Sequence, residues 1–294
     1  DLEAAMAAVA HLALEHLDLG LGSEARLFQL NGLESLRRLE LSFTSPGSEE
    51  MASLALFRQL EWLNLSFATV QDGDLEALRN LRSLRYLDLE QASLGAGALS
   101  VIAGLSQLEY LNLGGYNFSQ DGDLSLLKKM KRLRCLKLES CSLVGDTIKG
   151  LSALKELEVL DLGYNDVGDS VWTELAALPG LRYLDLSFNP VSGLALSRAG
   201  SVGFGNLQSL DVSGTDFGDE GMVAILRQAR LACLSVSQTK VSAKSFADKP
   251  RLTNLVKLDV SENELDDRFV DCVSGLTNLK TLNIASTPIA LSRF

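Results

Sequence analysis

The sequence predicts an α/β solenoid of about twelve units, with a curved parallel sheet on the inner side and short helices and turns on the outer side. Three observations lead there. The segment Leu-x-x-Leu-x-Leu, with Val or Ile in the last slot of some copies, recurs from Leu14, Leu36, Leu60, Leu84, Leu108, Leu133, Leu157, Leu181, Leu207, Leu231, Leu255 and Leu279. The steps between these starts are 22, 24, 24, 24, 25, 24, 24, 26, 24, 24 and 24 residues, a regularity that marks a stacked array. Between the copies lie stretches with apolar residues three and four apart, the spacing of one buried helical face.

Each element follows from the residues in turn. In Leu-x-Leu the two leucines point to one face of an extended chain and the residue between them to the other. One strand and one short helix cannot bury that leucine row, whereas stacked neighbours can, so the array is the unit of stability. Helices are bulkier than strands, which places the strands on the concave side. Five positions after the third leucine an apolar residue recurs (Val70, Leu94, Phe118, Leu143, Val167, Val191, Phe217, Val241, Leu265, Ile289), failing at Pro46. Two positions before it stands a small turn residue, often Asn or Thr, as at Thr44, Asn165, Asn189, Thr215, Thr239, Asn263 and Thr287. The helical stretches begin in acidic or Gly-rich sequence, such as Asp72-Gly-Asp74, Asp121-Gly-Asp123 and Asp219-Glu-Gly-Met, where the Asp can cap the helix.

Leu-Arg-Tyr-Leu-Asp-Leu-Ser-Phe-Asn-Pro-Val at 181–191 and Leu-Val-Lys-Leu-Asp-Val-Ser-Glu-Asn-Glu-Leu at 255–265 resemble the repeat of the leucine-rich repeat proteins, and the resemblance extends over essentially the whole chain. It implies a single domain over 1–294 and a surface built for recognition. Thr or Ala in the Asn slot departs from the family pattern and interrupts a continuous Asn ladder, although a Thr hydroxyl can also cap backbone groups in such a turn.

The rhythm breaks in two places. Residues 192–206 carry four glycines where other units carry a helix, and an irregular outer loop is expected there. Residues 1–11 are Ala-rich and read as a helix of a preceding unit. Neither end shows a polar cap over the leucine row, so a longer chain or a covering partner is expected.

Composition and motifs narrow the function. With 38 acidic and 27 basic residues the net charge is −11, which disfavours nucleic acid, because phosphate binding needs clustered positive charge. No apolar run approaches a bilayer-spanning length, so no membrane partner is expected. Cys135, Cys141, Cys233 and Cys272 form no Cys-x-x-Cys pair and read as reduced thiols of a cytoplasmic protein. An extracellular location is the alternative, since the sequence begins with Asp rather than Met; the sequons at Asn64-Leu-Ser66 and Asn117-Phe-Ser119 lend it little weight. With two histidines, His11 and His16, and neither a nucleophile elbow nor a phosphate loop, catalysis is not expected, and no catalytic residue is assigned. The Asp-Gly-Asp segments lack the remaining ligands of a calcium loop, so no metal or other cofactor is expected.

Register supplies the candidate site. Strands lie about 4.8 Å apart, so residues at one repeat position form a column across the sheet. The column after the first leucine reads Glu15, Arg37, Glu61, Arg85, Glu109, Arg134, Glu158, Arg182, an alternation that reads as control of register. The next column gathers Trp62, Tyr86, Tyr110 and Tyr183. Two positions after the third leucine stand Phe43, Phe67, Tyr164 and Phe188, which either face solvent or tuck beneath the turn. Between them runs a column acidic at seven of twelve positions, including Asp88, Asp161, Asp185 and Asp211, and suited either to a basic partner or to a role in the repeat itself. Aromatic anchors rimmed by acid suggest a non-catalytic adaptor or scaffold that holds a protein or peptide partner of basic character. The alternatives are the recognition domain of a larger receptor or ubiquitin-ligase substrate adaptor, and a structural subunit of a large assembly.

Overall fold

Leu36, Leu39 and Leu41 are fully shielded from solvent, as are Leu60, Leu63 and Leu65, so the recurring leucines of the inner repeats form the core. The computed structural model of the protein describes residues 12–20, 33–71, 73–95, 97–120, 124–199, 204–227, 230–247 and 252–290. The expected helix over 1–11, together with Asp72, Asp121 and Asp123, lies outside these residues.

Among the described residues the recurring segments give twelve three-residue strands: β1 His16–Asp18, β2 Arg38–Glu40, β3 Trp62–Asn64, β4 Tyr86–Asp88, β5 Tyr110–Asn112, β6 Cys135–Lys137, β7 Val159–Asp161, β8 Tyr183–Asp185, β9 Ser209–Asp211, β10 Cys233–Ser235, β11 Lys257–Asp259 and β12 Thr281–Asn283. The chain divides into two compact units, Asp1–Ser142 and Leu143–Phe294. Within each, every strand pairs in parallel with the next in chain order, β1 to β6 in the first and β7 to β12 in the second. The register is unbroken in each: the middle leucines face one another, and so do the residues on either side of them.

A turn of constant shape ends each strand. The residue two positions after the third leucine has a left-handed backbone in eleven successive repeats, from Phe43 (φ +58°) through Gly115 (φ +81°) and Phe188 (φ +52°) to Ser286 (φ +56°). In nine of them its N–H donates to a carbonyl of the following repeat, for example Phe43 to Ser66 at 2.9 Å and Phe188 to Ser213 at 2.7 Å. This inter-repeat bond holds a conformation that otherwise costs an L-residue about 1–2 kcal/mol.

The next residue finishes the turn in two ways. Thr44, Thr215 and Thr239 donate to the carbonyl three residues back, each at 2.6 Å. Asn189 does more: its Nδ2 reaches Leu162 O in the preceding repeat at 2.8 Å as well as Leu186 O, and its Oδ1 accepts from Val167 N at 3.0 Å. Asn263 repeats the pattern with Val236 O and Val241 N. The ladder is therefore intermittent, with Asn tying two repeats and Thr serving one.

The outer layer is short helix: α1 Ser48–Ser53, α2 Ala98–Ile102, α3 Val171–Leu175, α4 Gly193–Ala199, α5 Gly218–Leu226 and α6 Arg268–Val273, with 3-10 turns in the other repeats. The irregular loop expected over 192–206 is corrected here, because α4 occupies its first half; residues 200–203 lie outside the described part. Ser192 Oγ accepts from Ala195 N at 3.1 Å and starts that helix. Gly193 lets α4 lie against α5, since a Cβ there would come within 1.8 Å of Phe217 O and 2.5 Å of Gly221 Cα. Helix capping by the acidic starts is also corrected. Gly73 (φ +87°) caps Asp74–Asn80 without a side-chain bond, and Asp219 sits inside α5. Its carboxylate instead takes Ser242 N and Ser242 Oγ of the next repeat, both at 2.7 Å, as Asp169 takes Ser192 N at 2.6 Å. Burial opposes the charge on Asp219, but the hydrogen bonds from Ser245 and Ser242 outweigh it and hold the carboxyl below its ordinary value.

Urea denaturation checks the two kinds of turn residue. Asn189→Ala leaves the buried Val167 N–H without its acceptor and should lower stability by about 1–3 kcal/mol. Thr215→Ala should cost less, and Leu184→Ala, which empties a core slot, on the order of 2–5 kcal/mol.

Candidate functional site

Every strand from β2 to β11 buries its middle leucine, so the strand face is set by the columns on either side of that leucine. In the first unit the column of first residues is a continuous stack. The Arg38 guanidinium lies 3.8 Å from the Trp62 ring centroid. Trp62 stacks on Tyr86 at 4.8 Å, and Tyr86 on Tyr110 at 4.0 Å, with interplanar angles of 17° and 10°. Lys137 Nζ stands 6.0 Å from the Tyr110 ring. The three rings are half-buried, and their inner faces cover one another, so a ligand meets mainly their edges. The Tyr86 hydroxyl donates to Asp88 at 3.2 Å. Burial, outweighing a lowering hydrogen bond with Tyr110 and aided by the Asp88 carboxylate, pushes Tyr86 up to about 12, and burial raises Tyr110 as well.

The column two residues after the third leucine behaves differently. Phe43, Phe67, Tyr164 and Phe188 do not tuck beneath the turn; they are 53%, 45%, 53% and 44% exposed. They stand as two stacked pairs, Phe43 on Phe67 at 4.7 Å and Tyr164 on Phe188 at 4.5 Å. All four have the left-handed backbone described above. In a bulky L-residue that conformation is a true outlier.

The acidic column has a structural task. Asp18, Glu40, Asp161, Asp185, Asp211 and Asp259 each accept a hydrogen bond from the backbone N–H two residues on, at 2.8–3.0 Å. Asn64, Asn112 and Asn283 accept the same bond at 2.8, 3.0 and 3.1 Å. A side-chain oxygen here closes the turn, as Asp and Asn commonly do. Asp88 is buried, with Glu90 N and the Tyr86 hydroxyl on its carboxylate, which removes it from the surface available to a partner. Asp161, Asp185 and Asp211 are neighbours on β7, β8 and β9. Burial raises the Asp185 and Asp211 carboxyls, and the adjacent carboxylate, Asp161 for the first and Asp185 for the second, adds to the rise.

The alternating charges form ion pairs between Arg37 and Glu61, between Arg85 and Glu109, and between Arg182 and Glu158 at 3.5 Å. All are at least partly exposed, so each contributes on the order of 0–1 kcal/mol and serves register more than stability.

Residues 35–292 match the family described as the leucine-rich repeat region. The chain belongs to the leucine-rich repeat family. Solved structures agree on the fold. An internalin (inlF) from Listeria monocytogenes superposes with a TM-score of 0.74 at 21% identity, covering 98% of this chain and 89% of that one. The plant peptide hormone receptor RGFR1 in complex with RGF2 gives 0.59 at 20% identity, with 97% of this chain and 49% of that one covered. The TLR13–ssRNA13 complex gives 0.55 at 23%, with 95% and 36% covered. The chain thus spans about half or less of these two receptors. No curated protein matches the sequence significantly.

Sequence reasoning put Trp62, Tyr86, Tyr110 and Tyr183 on the strand side of this leucine-rich repeat chain and left open whether Phe43, Phe67, Tyr164 and Phe188 face solvent or tuck beneath the turn. It missed the left-handed turn, which the pattern of Gly115 and Gly214 in the same slot as Phe and Tyr could have signalled. Among the described residues no group of three or more His, Cys, Asp or Glu side chains is arranged to hold a metal, and no helix is long and apolar enough to cross a membrane. None of the four cysteines, all of them described, forms a disulfide.

The raised carboxyls have a testable sign. A carboxyl whose folded-state value is raised favours the folded state when protonated, so its contribution falls as pH rises through that value. Asp185→Asn keeps the turn bond, as Asn112 does, and removes the charge. Its melting temperature should equal or exceed that of the wild type at pH 7, and the gain should shrink as pH approaches about 4, the ordinary carboxylate value.

Proposed function

We propose that this leucine-rich repeat chain is a non-catalytic recognition module that holds a protein or peptide on its strand face through the exposed aromatic residues. One observation carries the reading: Phe43, Phe67, Tyr164 and Phe188 occupy a backbone slot that Gly, Ser and Gln fill elsewhere in the same chain, and they are exposed there. Folding gains little from an aromatic ring at this position. A stacked pair contributes about 0.5–1.5 kcal/mol, against about 1–2 kcal/mol of left-handed strain per residue. Rings held at the surface against that strain are suited to contact. Trp62, Tyr86 and Tyr110 add to the strand face of the first unit, and Tyr183 to that of the second.

The receptor ectodomain class is the second reading, favoured by the likeness to a peptide hormone receptor and by the short span of this chain on it. Nucleic acid is the poorer fit despite the TLR13 likeness, because a net charge of −11 opposes a phosphate backbone.

Peptides selected from a display library on the full chain supply the assay. Trp62→Ala, Phe67→Gly and Phe188→Gly should each weaken binding by about 1–4 kcal/mol in a calorimetric titration. The melting curves should shift little, since glycine suits the left-handed slot and Trp62 is not core. Unchanged affinity in all three variants would remove the strand face as the contact surface.

A further inference from the structure

Tyr86 and Tyr183 share their sequence setting, each preceded by Leu-Arg and followed by Leu-Asp-Leu, but not their surroundings. Tyr86 is sandwiched between Trp62 and Tyr110. Tyr183 is 37% exposed and has Val159 and Ser209 as register neighbours, so among the described residues no aromatic ring covers its faces. Farther along the same repeats stands the exposed Tyr164–Phe188 pair, with Phe188 packed against Gly214, where a Cβ would meet the ring at 2.6 Å. This is an unpartnered aromatic patch on the sheet face of the second unit.

Its surroundings select the occupant. Asp161, Asp185 and Asp211 lie on three adjacent strands beside Tyr183, and Arg182, the basic residue of the neighbouring column, is drawn to Glu158. Desolvation and mutual repulsion disfavour the charges of Asp185 and Asp211, so a cation brought to them relieves an existing penalty. The three carboxylates run along the sheet instead of converging, and they do not form a metal cluster. Carboxylates in a row beside an open aromatic face suit an organic cation on a long stem. The chain carries its own example of this contact in the same column, where the Arg38 guanidinium lies over Trp62 at 3.8 Å.

Resting on the strand-face reading above, we propose that β7 to β9 receive a lysine or arginine side chain of an extended protein segment, with its cation on the Tyr183 ring and among Asp161, Asp185 and Asp211. A neighbouring apolar side chain of the same segment packs on Tyr164 and Phe188. The first unit cannot accept a cation in this way, because Arg38 and Lys137 already flank its stack.

The test uses the full chain, a random peptide display library and the synthetic consensus peptide that it yields. The key variant is Asp161→Asn, Asp185→Asn, Asp211→Asn, which keeps the turn bonds that Asn64, Asn112 and Asn283 make in the same slot. The selected peptides should share a basic residue. Replacing that residue by norleucine, using the triple variant, or introducing Tyr183→Ala should each weaken binding about tenfold or more. Peptides without a basic residue, or a triple variant that binds within about twofold of the wild type, would overturn the proposal. If the triple variant binds normally while Phe188→Gly still weakens binding, the cation site falls and the strand-face reading stands. If neither matters, or no peptide is selected, both fall.

Discussion

A single strand with its turn leaves three leucines open, and only the repeats on either side can close over them. In this chain that constraint is met so fully that Leu39, Leu63, Leu87, Leu111, Leu136, Leu160 and Leu184 have no exposed surface. Register follows from it, because a slip of one residue would turn each leucine outward. With the middle leucines aligned, every other repeat position becomes a column by default. The aromatic stack, the ion pairs and the row of turn-closing carboxylates are consequences of leucines that must meet their neighbours.

The columns divide the work. Those nearest the leucine row serve the backbone: Asp or Asn closes the turn after the strand, and Asn or Thr fastens the turn that follows. Asp219 and Asp169 staple each outer turn to a serine of the next repeat. The interactions are individually small but repeat in series, which is how a quasi-linear array accumulates stability. What remains on the strand face, chiefly rings and a few carboxylates, is available for contact.

How much of this was legible in the sequence depends on the reach of each interaction. The twelve strands and their pairing were readable because period and burial coincide in the leucines. The stack of Trp62, Tyr86 and Tyr110 was readable as a column, yet its face-to-face closure was not, since ring rotation is set by the rings of the adjacent repeats. Asp185 looked like part of an acidic rim, and its turn bond became apparent only with the backbone traced. The helix at Gly193–Ala199 was missed because glycine argues against helix locally, whereas here its lost side chain lets α4 approach Gly221 of α5. The left-handed slot was hidden for the opposite reason: the inter-repeat hydrogen bond imposes it on residues that would not choose it.

That slot has an implication for how such a surface changes. Because the backbone at positions such as 43, 67, 164 and 188 is held from the next repeat, the side chain there is decoupled from folding, and the same geometry already accepts Gly, Ser, Gln, Glu, Phe and Tyr within one molecule. A row of sites that accepts such different side chains on a fixed mount behaves like movable type. Contacts can be rewritten one repeat at a time, by evolution or by design, while the leucines behind them stay untouched.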